Sequence, residues 1–141
     1  NNEVDIPIAG GEINIGIPDF KLMLDKGCYD ILQPNCTMST GISYIRKIAA
    51  LADSYGKLVN PHAYIPGTGV LQSMHLVASY TNFTWLEYPC DPPTLTPQAF
   101  QGIVKENFLV EADGCIPMPQ KPGFGIEIDE ELIRRYSILK G

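Results

Sequence analysis

Polar residues recur at the ends of short apolar runs at nearly even spacing, and this rhythm limits the folds open to the chain more than any other feature. Glu12 follows Ile6-Pro7-Ile8-Ala9-Gly10-Gly11, Asn35 follows Asp30-Ile31-Leu32-Gln33-Pro34, His62 follows Val59-Asn60-Pro61, and Glu87 follows Thr84-Trp85-Leu86. The gaps are 23, 27 and 25 residues, each about one strand plus one crossover helix. Parallel strands with crossover helices are therefore expected, with strands near 5–9, 29–33, 58–60 and 84–86. Their four polar groups would meet at one rim, the side on which the carboxyl ends of parallel strands lie. A βα barrel is favoured, and an open doubly wound sheet is the competitor.

The segments between the strands carry helix signals. Pro18 stands where a helix can begin and Gly27 where it can stop. Thr40 is the expected N-cap of a helix over 41–55, in which Ile42, Ile45, Ile48, Ala49 and Ala52 repeat at helical spacing. A third helix, over 67–80, places Val70, Leu71, Met74 and Val77 on one face. His75 falls inside it among core residues and reads as structural. Beyond Glu87 the prolines at 89, 92, 93 and 97 predict loop. Asp113-Gly114 between apolar runs predicts a hairpin of 107–111 with 115–118, and Asp129 is the expected cap of a last helix through Tyr136.

Composition excludes several function classes. With 45% apolar and 18% charged residues, the chain can bury a core. A formal charge of −6 argues against a nucleic-acid partner. There is no apolar run of membrane-spanning length. The sequence begins without a basic, apolar leader, so a cytoplasmic location is expected. Cys28, Cys36, Cys90 and Cys115 show no metal or redox spacing. The sequons at Asn35 and Asn82 are discounted for a cytoplasmic chain. Gly67-Thr68-Gly69 lacks the third glycine of a nucleotide-binding fingerprint.

Taken in order, Ile-Pro-Ile-Ala-Gly-Gly-Glu12, Asp30-Ile-Leu-Gln-Pro-Asn35, Gly41-Ile42 through Ala52, Pro61-His62 and Trp85-Leu86-Glu87 resemble the C-terminal part of the enolase superfamily, mandelate racemase and muconate lactonizing enzyme branch. The closing segment, with Asp113-Gly114-Cys115-Ile116-Pro117 and Pro122-Gly123-Phe124-Gly125-Ile126-Glu127, resembles the end of those proteins. The resemblance implies the C-terminal half of a TIM-like (β/α)7β barrel over residues 1–105. Residues 106–141, a hairpin and helix, would pack against the barrel or the capping domain. The capping domain and first barrel strands are not matched, so a fragment of a larger protein is expected, its barrel completed by further sequence or another chain. A homo-oligomer is expected, with no nucleic-acid or membrane partner.

The same resemblance implies roles, each beside a plainer alternative. Glu12 would be a carboxylate ligand of a catalytic Mg²⁺, or simply a solvated turn residue. His62 would be the general base that removes the proton next to a substrate carboxylate, or an exposed capping histidine. Glu87 would be an acid that hydrogen-bonds the developing enediolate. Asn35 stands where the family pattern has an aspartate that orients the imidazole. An amide can fix the tautomer but cannot stabilise imidazolium by charge. The implied activity is Mg²⁺-dependent dehydration of an acid sugar, with racemisation, epimerisation or cycloisomerisation as alternatives. A non-catalytic member, whose motifs serve folding and assembly only, is the reading from another class.

Overall fold

The computed structural model describes residues 4–138. Three two-residue strands, β1 (Ala9–Gly10), β2 (Ile31–Leu32) and β3 (Leu58–Val59), form a parallel sheet in the order β1-β2-β3. Helix α1 (Gly16–Lys26) links the first pair and α2 (Ile42–Ser54) the second. Main-chain bonds run past the named strands: Gln33 N–H donates to Gly10 O at 2.8 Å, Asn60 N–H to Leu32 O at 2.9 Å and His62 N–H to Pro34 O at 3.0 Å. The rhythm of apolar runs is thus an α/β fold with parallel strands.

The fourth expected strand is reduced to a single parallel bridge between Val59 and Phe83. Its loss has a local cause. Pro61 has no N–H to give to a ladder, and the Asn60 side chain takes the donors a strand would have used. Asn60 Oδ1 accepts from Thr84 N–H at 3.2 Å, Thr84 Oγ1 at 3.0 Å and Trp85 N–H at 3.1 Å.

Asn35 performs the same service one strand earlier, its Oδ1 accepting from Thr37 N–H, Thr37 Oγ1 and Met38 N–H at 2.9–3.1 Å. The chain then makes one wide turn, Cys36–Thr40, closed by Gly41 N–H on Cys36 O. Gly41, at φ 73°, stands at the N-cap of α2 in place of the expected Thr40. That backbone conformation favours glycine and is strained for threonine.

Helix α1 ends on Gly27 at φ 61°, with Gly27 N–H on Leu24 O and Cys28 N–H on Met23 O. This is the glycine-terminated helix end that satisfies the last carbonyls. The first core lies between α1, α2 and the sheet, where Phe20, Leu32, Ile45, Ile48, Ala49, Ala52 and Val59 are fully buried. The exposed Asp25 carboxylate ties α1 to α2 by taking Lys21 Nζ and Tyr55 OH, and the Lys21 ammonium holds it below its ordinary range.

Helix α3 (Thr68–Val77) contributes Leu76 to that core. Its other face, Val70, Leu71 and Met74, joins Val104 in a second cluster with Phe108, Ile116, Met118 and Ile126. His75 is structural here: Nε2 lies 3.2 Å from Phe124 O and the ring meets Phe124 edge-on. Proline does not silence the following segment. Pro97 opens the short helix α4 (Pro97–Phe100), tolerated at the first position, with Thr96 Oγ1 accepting from Ala99 N–H. The expected hairpin around Asp113-Gly114 is only a turn, with Glu111 N–H on Cys115 O, because Pro117 and Pro119 deny its second arm donors. The pairing that forms instead joins 103–105 to 127–129 through Val104 and Ile128. Asp129 caps the final helix α5 (Glu130–Tyr136) at Leu132 N–H as expected.

The four cysteines are free. Cys36 is buried against Ser73 and Gly69 O, and burial pushes its thiol up, while Cys28, Cys90 and Cys115 are exposed. Titration of the native protein with a disulfide reagent should register those three thiols quickly and Cys36 about a hundredfold more slowly, or only on unfolding. Equal rates for all four would contradict this packing. Both sequon asparagines are buried, and Asn82 Nδ2 is bonded to Ala49 O and Lys57 O.

Candidate active site

The carboxyl ends of β1 and β3, with the segment that follows α3, bring three of the expected side chains into one row. After β1, Gly11 at φ 116° turns the chain sharply, with Phe20 so close beneath that a Cβ would lie 3.0 Å from its ring. The next residue, Glu12, is left half-exposed at the rim. Past β3 the chain runs through Pro61 to His62, bridged in parallel to Asn35. Glu87 arrives from the segment that Asn60 holds.

The His62 ring is 18% exposed and lies between two carboxylates. Nδ1 is 2.7 Å from Glu87 Oε2, and Nε2 is 3.0 Å from Glu12 Oε2. Glu87 Oε2 also accepts from Ala63 N–H at 3.0 Å, so it is fixed by main chain as well as by the ring. With both carboxylates ionised, the two ring contacts are hydrogen bonds at once only when the imidazole carries two N–H groups. In the neutral ring, Nδ1–H on Glu87 leaves Nε2 as a lone pair facing Glu12 and the open rim.

Asn35 is adjacent but differently employed. Its Oδ1 serves the turn at Thr37 and Met38, and the ring nitrogens of His62 face Glu87 and Glu12. At Nδ1 the contact is made by Glu87, which reaches the same ring from the opposite neighbour. Sequence reasoning passed over Ala63 N–H; it expects specificity from the loop over 63–66 without singling out Tyr64, whose ring lies parallel to the imidazole. The spacing held a signal for Tyr64, since residues two apart in non-helical chain share a side.

Among the described residues no three His, Cys, Asp or Glu side chains are arranged to hold a metal ion. Glu12 offers the more exposed carboxylate of the row, the hard oxygen donor type that Mg²⁺ takes. That donor type fits one position of such a ligand set. No helix among the described residues is long and apolar enough to cross a membrane.

Residues 1–132 match the family described as enolase C-terminal domain-like. The chain is 31% identical over 134 residues to D-galactarolactone cycloisomerase of Agrobacterium fabrum, covering 93% of this chain and 35% of that protein. It is 34% identical over 115 residues to L-rhamnonate dehydratase of Saccharopolyspora erythraea, covering 80% and 28%. Among solved structures it superposes on a mandelate racemase/muconate lactonizing enzyme-like protein from Roseovarius sp. TM1035, with TM-score 0.82 and 33% identity. That match covers 95% of this chain and 32% of the other. The chain spans about a third of the length of the curated relatives it matches.

Proposed function

The chain belongs to the enolase C-terminal domain-like family, and on that premise we propose that it forms the second half of a βα barrel in which His62 removes the proton alpha to a carboxylate. The substrate class is an acid sugar, supported by likeness to sugar-acid dehydratases. The observation that carries this reading is His62 itself: an imidazole at a strand end, one nitrogen anchored on Glu87 and the other turned to the rim.

The chemistry of the chain's own residues follows from that anchoring. Glu87, held by Ala63 N–H, accepts Nδ1–H and fixes the tautomer, so that Nε2 is the basic atom. The α C–H bond breaks, its proton goes to Nε2, and the electron pair moves into the substrate carboxylate. Return of that pair expels the β-hydroxyl, which takes a proton from the imidazolium and leaves as water. Mg²⁺ held in part by Glu12 would offset the negative charge that builds on the substrate carboxylate. Glu12 has then to turn from Nε2, which it can do because its carboxylate is half-exposed and bonded to no main-chain donor among the described residues. A cytoplasmic enzyme assembled from like subunits accords with this reading.

A cycloisomerase is the second reading, favoured by the likeness to D-galactarolactone cycloisomerase. It shares α-proton removal but expels a lactone ring oxygen, so its product is an isomer of the substrate. One experiment tests both. The full-length protein is incubated with Mg²⁺ and a panel of acid sugars and their lactones in D₂O, and proton NMR follows the α position. Loss of the α-proton signal, or build-up of a 2-keto-3-deoxy acid, is the expected result. No exchange across the panel would leave the non-catalytic reading standing.

A further inference from the structure

The ring beside His62 has no part in the steps above. Tyr64 runs nearly parallel to the imidazole, with 13° between planes and 6.1 Å between centroids. At that separation the rings are offset and present a flat wall at the rim, not a close stack. The wall is supported from behind. Phe100 at the end of α4 sets its edge against Tyr64, 5.5 Å away at 70°, and Gly67 N–H donates to Phe100 O at 2.6 Å. A Cβ on Gly102 would lie 3.3 Å from the Gly67 backbone, so the loop after His62 and the segment around α4 are joined main chain to main chain. Yet Tyr64 is 46% exposed, and its hydroxyl makes no hydrogen bond among the described residues. A tyrosine serving only as packing is normally buried with its hydroxyl satisfied. This one is braced with its polar tip open.

We propose that Tyr64 is a positioning and specificity residue of the site, resting on the proton-abstraction reading given above. Its ring face carries the C–H face of a polyhydroxy carboxylate, and its hydroxyl bonds one substrate hydroxyl. Together these set which carbon stands over Nε2 of His62. Phe100 and α4 act through Tyr64, as a brace.

The test uses full-length protein with Mg²⁺ and the acid sugars it exchanges, D-galactonate and L-rhamnonate among them. Tyr64→Phe keeps the ring and its packing and loses the hydroxyl. It should raise KM about tenfold and lower kcat by about threefold or more, because the reacting carbon then stands over Nε2 less often. Tyr64→Leu should raise KM further and narrow the preference between sugars. KM within about twofold of the parent for both variants, on a parent that does exchange its substrate, overturns the role of Tyr64 and leaves His62 as base untouched. A parent that exchanges no acid sugar overturns the proposed function, and this inference with it.

Discussion

Replacing His62 with alanine in the full-length protein should lower α-proton exchange by about a thousandfold, within the roughly 10²–10⁴ range of a positioned general base. The effect should be confined to chemistry. What His62 gives the fold is main chain, its N–H on Pro34 O, and alanine keeps it. Among the described residues the polar partners of the imidazole are the two carboxylates, and the Tyr64 ring lies parallel to it. The unfolding midpoint should therefore move little. Exogenous imidazole, entering from the open rim, should restore part of the rate. Turnover within tenfold of the parent would remove His62 as the base, however well the protein folds.

Phe20→Ala should cost about 3–5 kcal/mol of stability, the usual penalty for emptying a fully buried aromatic site. Phe20 is 0% exposed and sits in the first core with Leu24, Leu32 and Ile48. Its ring also lies directly under Gly11, the residue whose backbone turns Glu12 to the rim. The void cannot close by moving the strand, because Gln33 N–H is bonded to Gly10 O beside it. Urea unfolding of the purified protein measures the change as a lower midpoint at similar slope. A loss below about 1.5 kcal/mol would mean that the site collapses around alanine, and that Phe20 is not the prop beneath Glu12.

The parallel order of the strands, three helices expected from Pro18, over 41–55 and over 67–80 and found over 16–26, 42–54 and 68–77, and the meeting of Glu12, His62 and Glu87 were all legible in the sequence. They depend on local rules: apolar runs, glycine stops, and the constant side on which parallel strands end. The use of Asn35 was not legible. An asparagine after a strand can face a ring or cap the next turn, and only the wide turn at Cys36–Thr40 decides between them. The missing fourth strand was hidden for a similar reason. A side-chain oxygen on Asn60 took main-chain donors 24 and 25 residues away, a long-range competition that periodicity does not record. Helix α4 was hidden because proline was read as a breaker where it was an opener.

Asn35 and Asn60 are buried, and each closes its amide oxygen on three donors of the following segment. The rim backbone is therefore clamped by these two amides, while Glu12 hangs outside that clamp, bonded among the described residues only to the ring it faces. In evolutionary terms the two asparagines are the expensive positions, and Glu12 is cheap to exchange. A descendant could lose, move or replace that carboxylate at little cost to folding and so drift to another reaction on an unchanged rim.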